Sequence, residues 1–228
     1  MFFLEDILSL IYPRLCMACG NSLFKNEETI CTHCCYHLPK TNFHLLKDNS
    51  VSKLFWGRVK IESAASYYFF QKESKTQKLI HQLKYQKQKE IGIYIGKQYG
   101  YELMKSEFFN TIEVIVPVPL HQKKFKKRGY NQSELFANGL SQSMRVEVNT
   151  DALFRAINTD SQTKKSKYNR WENVKDIFQI KNAEHLQNKH ILLVDDVVTT
   201  GATIEACASK LLTIEGTKIS IATIACAY

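Results

Sequence analysis

The chain has 228 residues, which is room for one ordinary α/β core and a small accessory module but excludes two large cores. A total of 31 Lys and Arg against 22 Asp and Glu leaves a formal charge of +9 and a pI of about 9.1, a balance that suits phosphates or nucleic acid as partners. No run of 18 consecutive apolar residues is present, so no membrane-spanning helix is expected and the chain reads as cytoplasmic.

The apolar run from Phe2 to Ile11 carries Glu5 and Asp6 and lacks the positive start of a signal peptide, so a short docking helix is expected there. Next comes a cluster of cysteines. Cys16 and Cys19 form one CxxC pair, Cys31 and Cys34 a second, with 11 residues between them. Without an export signal, metal binding is a better reading than disulfides. Two such pairs can present four thiolates tetrahedrally to a structural zinc ion, and Gly20 permits the tight turn after Cys19. A redox role would need one CxxC beside a βαβ pattern, which the cluster lacks. Cys35, His33 and His37 stand close enough in sequence to replace one ligand, whereas Cys207 and Cys226 read as core residues. The expected organisation is a helix and zinc module over 1–40, a linker over 41–58 and the main domain over 59–228.

Aromatic residues predict a strand over 64–70. Helical patterns follow over 76–85 and 90–104, then a β-branched strand over 112–119 that Pro117 and Pro119 must end. A basic loop is expected after it, holding Lys123, Lys124, Lys126, Lys127 and Arg128; a solvated surface loop is the plainer reading of such a charge run. A helix over 131–144 and a short strand over 176–180 come next. The last third reads as a buried strand over 190–194, a helix over 202–212 with Ile204, Cys207, Ala208, Leu211 and Leu212 on one stripe, and a strand over 218–226. Alternating strands and helices predict an α/β fold with a parallel sheet flanked by helices.

The segment 191–203 has the features of a sugar-phosphate site. It is a hydrophobic strand that ends in Asp195 and Asp196, followed by a Thr- and Gly-rich turn that opens a helix. A helix N-terminus offers free N–H groups and partial positive charge to an anion, and Gly201 lets that backbone come close. Thr199, Thr200 and Thr203 add hydroxyls, and the two acids can accept from a ribose diol. An acidic pair alone could be that of a receiver domain, or an ordinary strand end with an Asp-rich cap. The whole string, however, resembles the PRPP (phosphoribosyl pyrophosphate) signature of type I phosphoribosyltransferases. That resemblance implies that Asp195, Asp196, Val198, Thr199, Thr200, Gly201, Ala202 and Thr203 hold PRPP with Mg²⁺, together with Pro117, Val118 and Arg128. Asp195, Asp196 and Arg128 are the catalytic candidates it implies.

Further blocks are more specific. Residues 79–85, 117–120 and 128–132, together with Arg155, Thr159, Gln162, Arg170, Asn173, Val174 and Phe178, resemble the ComF/GntX family over nearly the whole chain. Lys164, Lys165 and Lys167 depart from its pattern, which has apolar or small residues there. The resemblance implies a zinc-finger-like module ahead of a phosphoribosyltransferase domain, and a role in DNA uptake during natural competence with partners from that machinery. Single-stranded DNA could then follow Lys123, Lys124, Lys126, Lys127, Arg128, Lys164, Lys165 and Arg170, with Phe125, Tyr130 or Trp171 stacking on bases. The alternative is an active phosphoribosyltransferase that moves phosphoribose from PRPP to an acceptor, although no stretch of the sequence supplies an obvious acceptor-recognition element.

Overall fold

A computed structural model describes residues 12–156 and 177–227. The docking helix expected over 2–11 lies outside them, as do Thr159, Gln162, Lys164, Lys165, Lys167, Arg170, Trp171, Asn173 and Val174.

Seven α-helices and seven strands are described. The helices are α1 (Thr32–His37), α2 (Ser50–Lys53), α3 (Lys75–Tyr85), α4 (Glu90–Met104), α5 (Gln122–Arg128), α6 (Gln132–Met144) and α7 (Ala202–Leu211). The strands are β1 (Ser63–Phe70), β2 (Val114–Pro117), β3 (Glu147–Val148), β4 (Leu153–Arg155), β5 (Phe178–Ile180), β6 (His190–Val198) and β7 (Lys218–Ala227). Caps fall where the side chains supply them: Ser74 Oγ accepts from Gln77 N at the start of α3, and Asn131 Oδ1 accepts from Ser133 N at the start of α6.

β1, β7, β6, β2 and β3 form one sheet in that order, every pairing parallel. This is the predicted α/β architecture. β4 and β5 form a separate antiparallel pair. Helices α3, α4 and α6 cover one face of the sheet, where Leu79, Leu83, Ile95, Phe136 and Leu140 bury against Leu192, Val194 and Ala222. On the other face Val51, Phe55, Ile204 and Cys207 pack with Ile191, Leu193 and Ile221. The α4–α6 contact is close because glycines meet in it: Gly96 Cα lies against Gly139.

Three elements differ from the sequence reading. The basic segment after β2 is the helix α5 instead of a loop. His121 Nδ1 accepts from Lys123 N at its start, and Gly129 ends it in the left-handed region at φ 80°. β6 runs on to Val198, so Asp195 and Asp196 lie inside the strand and not at its end. Residues 43–59 are packed: Val51 and Phe55 are buried, and Asn49 donates to Ala64 O of β1 at 2.8 Å while capping α2 with its Oδ1. The cysteine segment is equally engaged. Cys16, Ala18, Ile30, Cys34 and Leu38 share an apolar cluster with α3 and α4, and Gln82 of α3 donates to Met17 O at 2.7 Å.

Candidate functional site

Near its end β6 carries two acids in succession, and each is held by a different helix. Asp195 Oδ1 accepts from Ser133 Oγ of α6 at 2.8 Å, and Asp196 Oδ1 meets Lys84 Nζ of α3 at 2.9 Å. Tyr67, Asp196 and Ile224 interrupt the pairing of β1, β6 and β7, with the same register on either side.

Burial and the neighbouring Asp196 charge push the Asp195 carboxyl up to about 7, against hydrogen bonds from Ser133 and from Asp196 N that favour its charged form. Lys84 offsets one of the two acidic charges, and the other suits a Mg²⁺ carried in by phosphates.

Beyond Val198 the chain turns through exposed Thr199 and Thr200 and buried Gly201 into α7. Gly201 is the α7 N-cap at φ 75°, a conformation that favours glycine, and a Cβ there would meet the Phe55 ring at 3.0 Å. Asp195, Val197 and the residues from Val198 to Ile204 line an open hollow of about 50 Å³. At its rim the first N–H groups of α7 are available to an anion. Arg58 braces this turn from below: its guanidinium donates to Leu54 O and Thr200 O, each at 2.8 Å, and pairs with Glu205.

β2 ends beside β6, with Pro117 opposite Val194 and Val118 N donating to Val194 O at 2.9 Å. Asn131 Nδ2 donates to Val118 O at 3.0 Å, and Tyr130 Oη donates to Leu83 O at 2.6 Å. Together with Gly129, these bonds hold the end of α5 so that the Arg128 guanidinium donates to Gln132 Oε1 at 2.6 Å and stands 5.3 Å over the Tyr85 ring. Lys84, Tyr85, Lys87, Lys127, Arg128 and Tyr130 line a second, basic hollow of about 60 Å³. Lys123, Lys124, Lys126 and Lys127 are exposed along α5, as is Phe125 at 47%. Of the expected nucleic-acid contacts, Lys164, Lys165 and Arg170 lie outside the described residues.

The structure therefore brings Asp195, Asp196, Pro117, Val118 and the 198–203 turn together, with Arg128 on the far side of Tyr85. Lys84, Ser133 and Arg58 were not singled out from the sequence. Lys84 could have been, since it lies in the recognised 79–85 block; Ser133 passes as an ordinary first-turn residue, and Arg58 lay in the expected linker.

The sulfurs of Cys16, Cys19, Cys31 and Cys34 all lie within 4.8 Å of one another, and Cys19 Sγ is 3.8 Å from Cys31 Sγ. Four ligands about 2.3 Å from a tetrahedral zinc would stand about 3.8 Å apart, so the set fits such an ion. Burial works against ionising Cys16, but the N–H groups of Cys31, Cys19 and Ala18 outweigh it and bring the thiol down to about 6. Burial and its sulfur neighbours push Cys34 up to about 12. Four thiolates this close require a cation, and these four cysteines could hold one. Cys35 stands apart, its Sγ 3.0 Å from Tyr94 Oη; His33 and His37 stack on each other with ring centroids 4.1 Å apart.

Residues 131–227 match the phosphoribosyl transferase domain family. The DNA utilization protein YhgH of Escherichia coli is 30% identical over 209 residues, covering 90% of this chain and 87% of that protein. Competence protein F of Haemophilus influenzae is 35% identical over 44% of each chain. Competence protein ComFC of Bacillus subtilis is 34% identical over 47% of this chain and 45% of that one. Among solved structures, the adenine phosphoribosyltransferase of Saccharomyces cerevisiae is 15% identical over 60% of this chain and 68% of that one, with a TM-score of 0.37. The glutamine PRPP amidotransferase of B. subtilis is 14% identical over 63% of this chain and 30% of that one, with a TM-score of 0.44.

Proposed function

The chain belongs to the ComF family of proteins with a phosphoribosyl transferase domain, and on that premise we propose that it binds PRPP with Mg²⁺ and serves DNA uptake by handling single-stranded DNA. The observation that carries the first part is the pair of acids Asp195 and Asp196, held by Ser133 and Lys84, next to a glycine-capped helix start. The 5-phosphate takes N–H groups of 201–204 and the Thr199, Thr200 and Thr203 hydroxyls. The ribose diol takes the carboxylates, and the pyrophosphate, with its Mg²⁺, lies toward the basic hollow at Arg128 and Lys127. Mg²⁺ neutralises the pyrophosphate, and Asp195 lies where the added positive charge favours its ionised form.

Three relatives named for DNA utilization or competence support the second part, as do four exposed lysines and a half-exposed phenylalanine on α5. A basic helix with an aromatic side chain suits a single strand, whose phosphates it neutralises and whose bases it stacks on. The cysteine cluster serves as a structural zinc site that fixes the N-terminal module against α3.

Calorimetric titration with Mg²⁺–PRPP tests the central reading. Micromolar-range binding that is lost in Asp196→Asn is expected, and no heat from the unmodified protein would overturn it. For DNA, affinity should fall as salt rises, and the slope of log K against log salt should shrink by about 3 when Lys123, Lys124, Lys126 and Lys127 are neutralised. A slope unchanged by that substitution removes α5 from the strand path.

A further inference from the structure

The hollow at the phosphate loop is lined by Asp195 and by residues 197–204, and among the described residues that line it none is basic. A phosphate entering it comes close to Glu205, an acid in the first turn of α7. The Glu205 carboxylate and the phosphate draw on the same positive helix end, so each disfavours the other. The cation that offsets this repulsion comes from outside the stretch that matches the transferase domain, from Arg58.

Arg58 is held in place by the turn that follows α2. Phe55 is fully buried, and its ring lies where a Cβ on Gly201 would meet it at 3.0 Å. Arg58 N donates to Phe55 O at 3.0 Å, and Arg58 Nη1 donates to Leu54 O at 2.8 Å. The same Nη1 donates to Thr200 O at 2.8 Å, while Nη2 pairs with Glu205. One guanidinium thus holds both the backbone of the phosphate turn and the acid at the helix start, two contacts that its planar fork can make at once. The Thr200–Gly201 peptide is trans, so its N–H points away from the oxygen that Arg58 holds. A hydrogen bond to that oxygen also polarises the N–H and makes it a stronger donor.

We propose that Arg58 is a positioning residue for the phosphate: it cancels the Glu205 charge at the start of α7 and fixes the direction of the Gly201 N–H. The proposal rests on the PRPP reading above. It gives the segment ahead of β1 a part in ligand affinity without contact with the ligand.

The test is calorimetric titration of the full chain with Mg²⁺–PRPP at low salt, where charge effects are least screened. Arg58→Gln leaves Glu205 unpaired and is expected to weaken binding about tenfold or more. Arg58→Gln/Glu205→Gln should recover most of that loss, because the repelling charge has gone; a brace of purely structural value would not be repaired by removing its second partner. Glu205→Gln alone leaves Arg58 unmatched near the anion and should tighten binding about threefold; it decides the matter by itself if Arg58→Gln does not fold. Three results overturn the role of Arg58 and leave PRPP binding standing: unchanged affinity in Arg58→Gln, a double variant as weak as Arg58→Gln, or Glu205→Gln that binds no more tightly than the unmodified chain. Failure of the unmodified chain to bind Mg²⁺–PRPP overturns both readings.

Discussion

Lys84 Nζ lies 2.9 Å from Asp196 Oδ1, an ion pair that ties α3 to the strand bearing both acids. Its side chains are mostly shielded, at 21% and 13% exposure, so solvent screens the pair weakly. Lys84→Met removes the partner and leaves the Asp196 carboxylate desolvated and alone. A loss of about 2 kcal/mol is expected in urea denaturation. Lys84→Met/Asp196→Asn should recover most of that loss, because the uncompensated charge is gone. Additive effects of the two substitutions would show that the pair does not couple.

Asp195 gives a pH-dependent prediction. Its folded carboxyl is held at about 7, above its ordinary value of 3.8, first by burial and then by the Asp196 charge. The folded chain therefore keeps a proton that the unfolded chain has lost. The stabilising effect is full below about pH 4, declines as pH rises, and is gone above about 7. Asp195→Asn keeps an oxygen for the Ser133 and Asp196 N donors and has no charge to bury. It should match the unmodified protein near pH 4 to 5 and exceed it at pH 8 by roughly 1–3 kcal/mol, while PRPP affinity falls. Parallel thermal melts across that range check it; a constant difference at all pH values would remove Asp195 titration as the cause.

The elements with strong period, α3, α4, α6, α7, β1 and β7, were legible because each buries one face or both, and the residues that do so recur at its own spacing. What was not legible depends on partners distant in sequence. No local pattern marks the interrupted pairing at Asp196, because it belongs to a row that also involves Tyr67 and Ile224. Arg58 braces Thr200 across 142 residues, and its own neighbourhood reads as a polar linker. The α5 segment looked like a loop because five charges mask its helix, whose stop signal is the left-handed Gly129. The 198–203 turn was recognisable because a phosphate loop needs its residues contiguous.

Gly139 offers a test of how far packing positions the site. A Cβ there would strike Ile93 O and lie 2.8 Å from Lys97 N and 2.9 Å from Gly96 Cα, all backbone or Cα atoms of α4 that cannot rotate away. Gly139→Ala must push α4 and α6 apart, for a loss of about 3 kcal/mol. α6 also starts at Asn131 and carries Ser133, which hold Val118 and Asp195. PRPP affinity should therefore drop with stability, whereas Gly57→Ala, with open space around its Cβ and only its φ of 69° against it, should leave affinity unchanged. An affinity unaffected in both would show that α6 can shift without moving the acids.

The cysteine cluster should behave as part of the main core. Ala18, Ile30, Cys34 and Leu38 pack with Leu79, Leu83 and Ile95, and Gln82 reaches Met17 O from the helix that carries Lys84. Metal removal would leave Cys16, Cys19, Cys31 and Cys34 crowded and partly ionised, so the strain falls on α3 as well. Chelation or Cys34→Ser is expected to cost about 3 kcal/mol, a Tm lower by roughly 6–12 °C for a chain of this size. The transition should stay single, because among the described residues the segment shares its core with α3 and α4, and PRPP affinity should weaken as α3 loses its register with Asp196. Metal analysis should find about one zinc per chain. A two-step melt, with the upper transition and PRPP binding unchanged after chelation, would instead make the module an independent appendage whose metal serves a different partner.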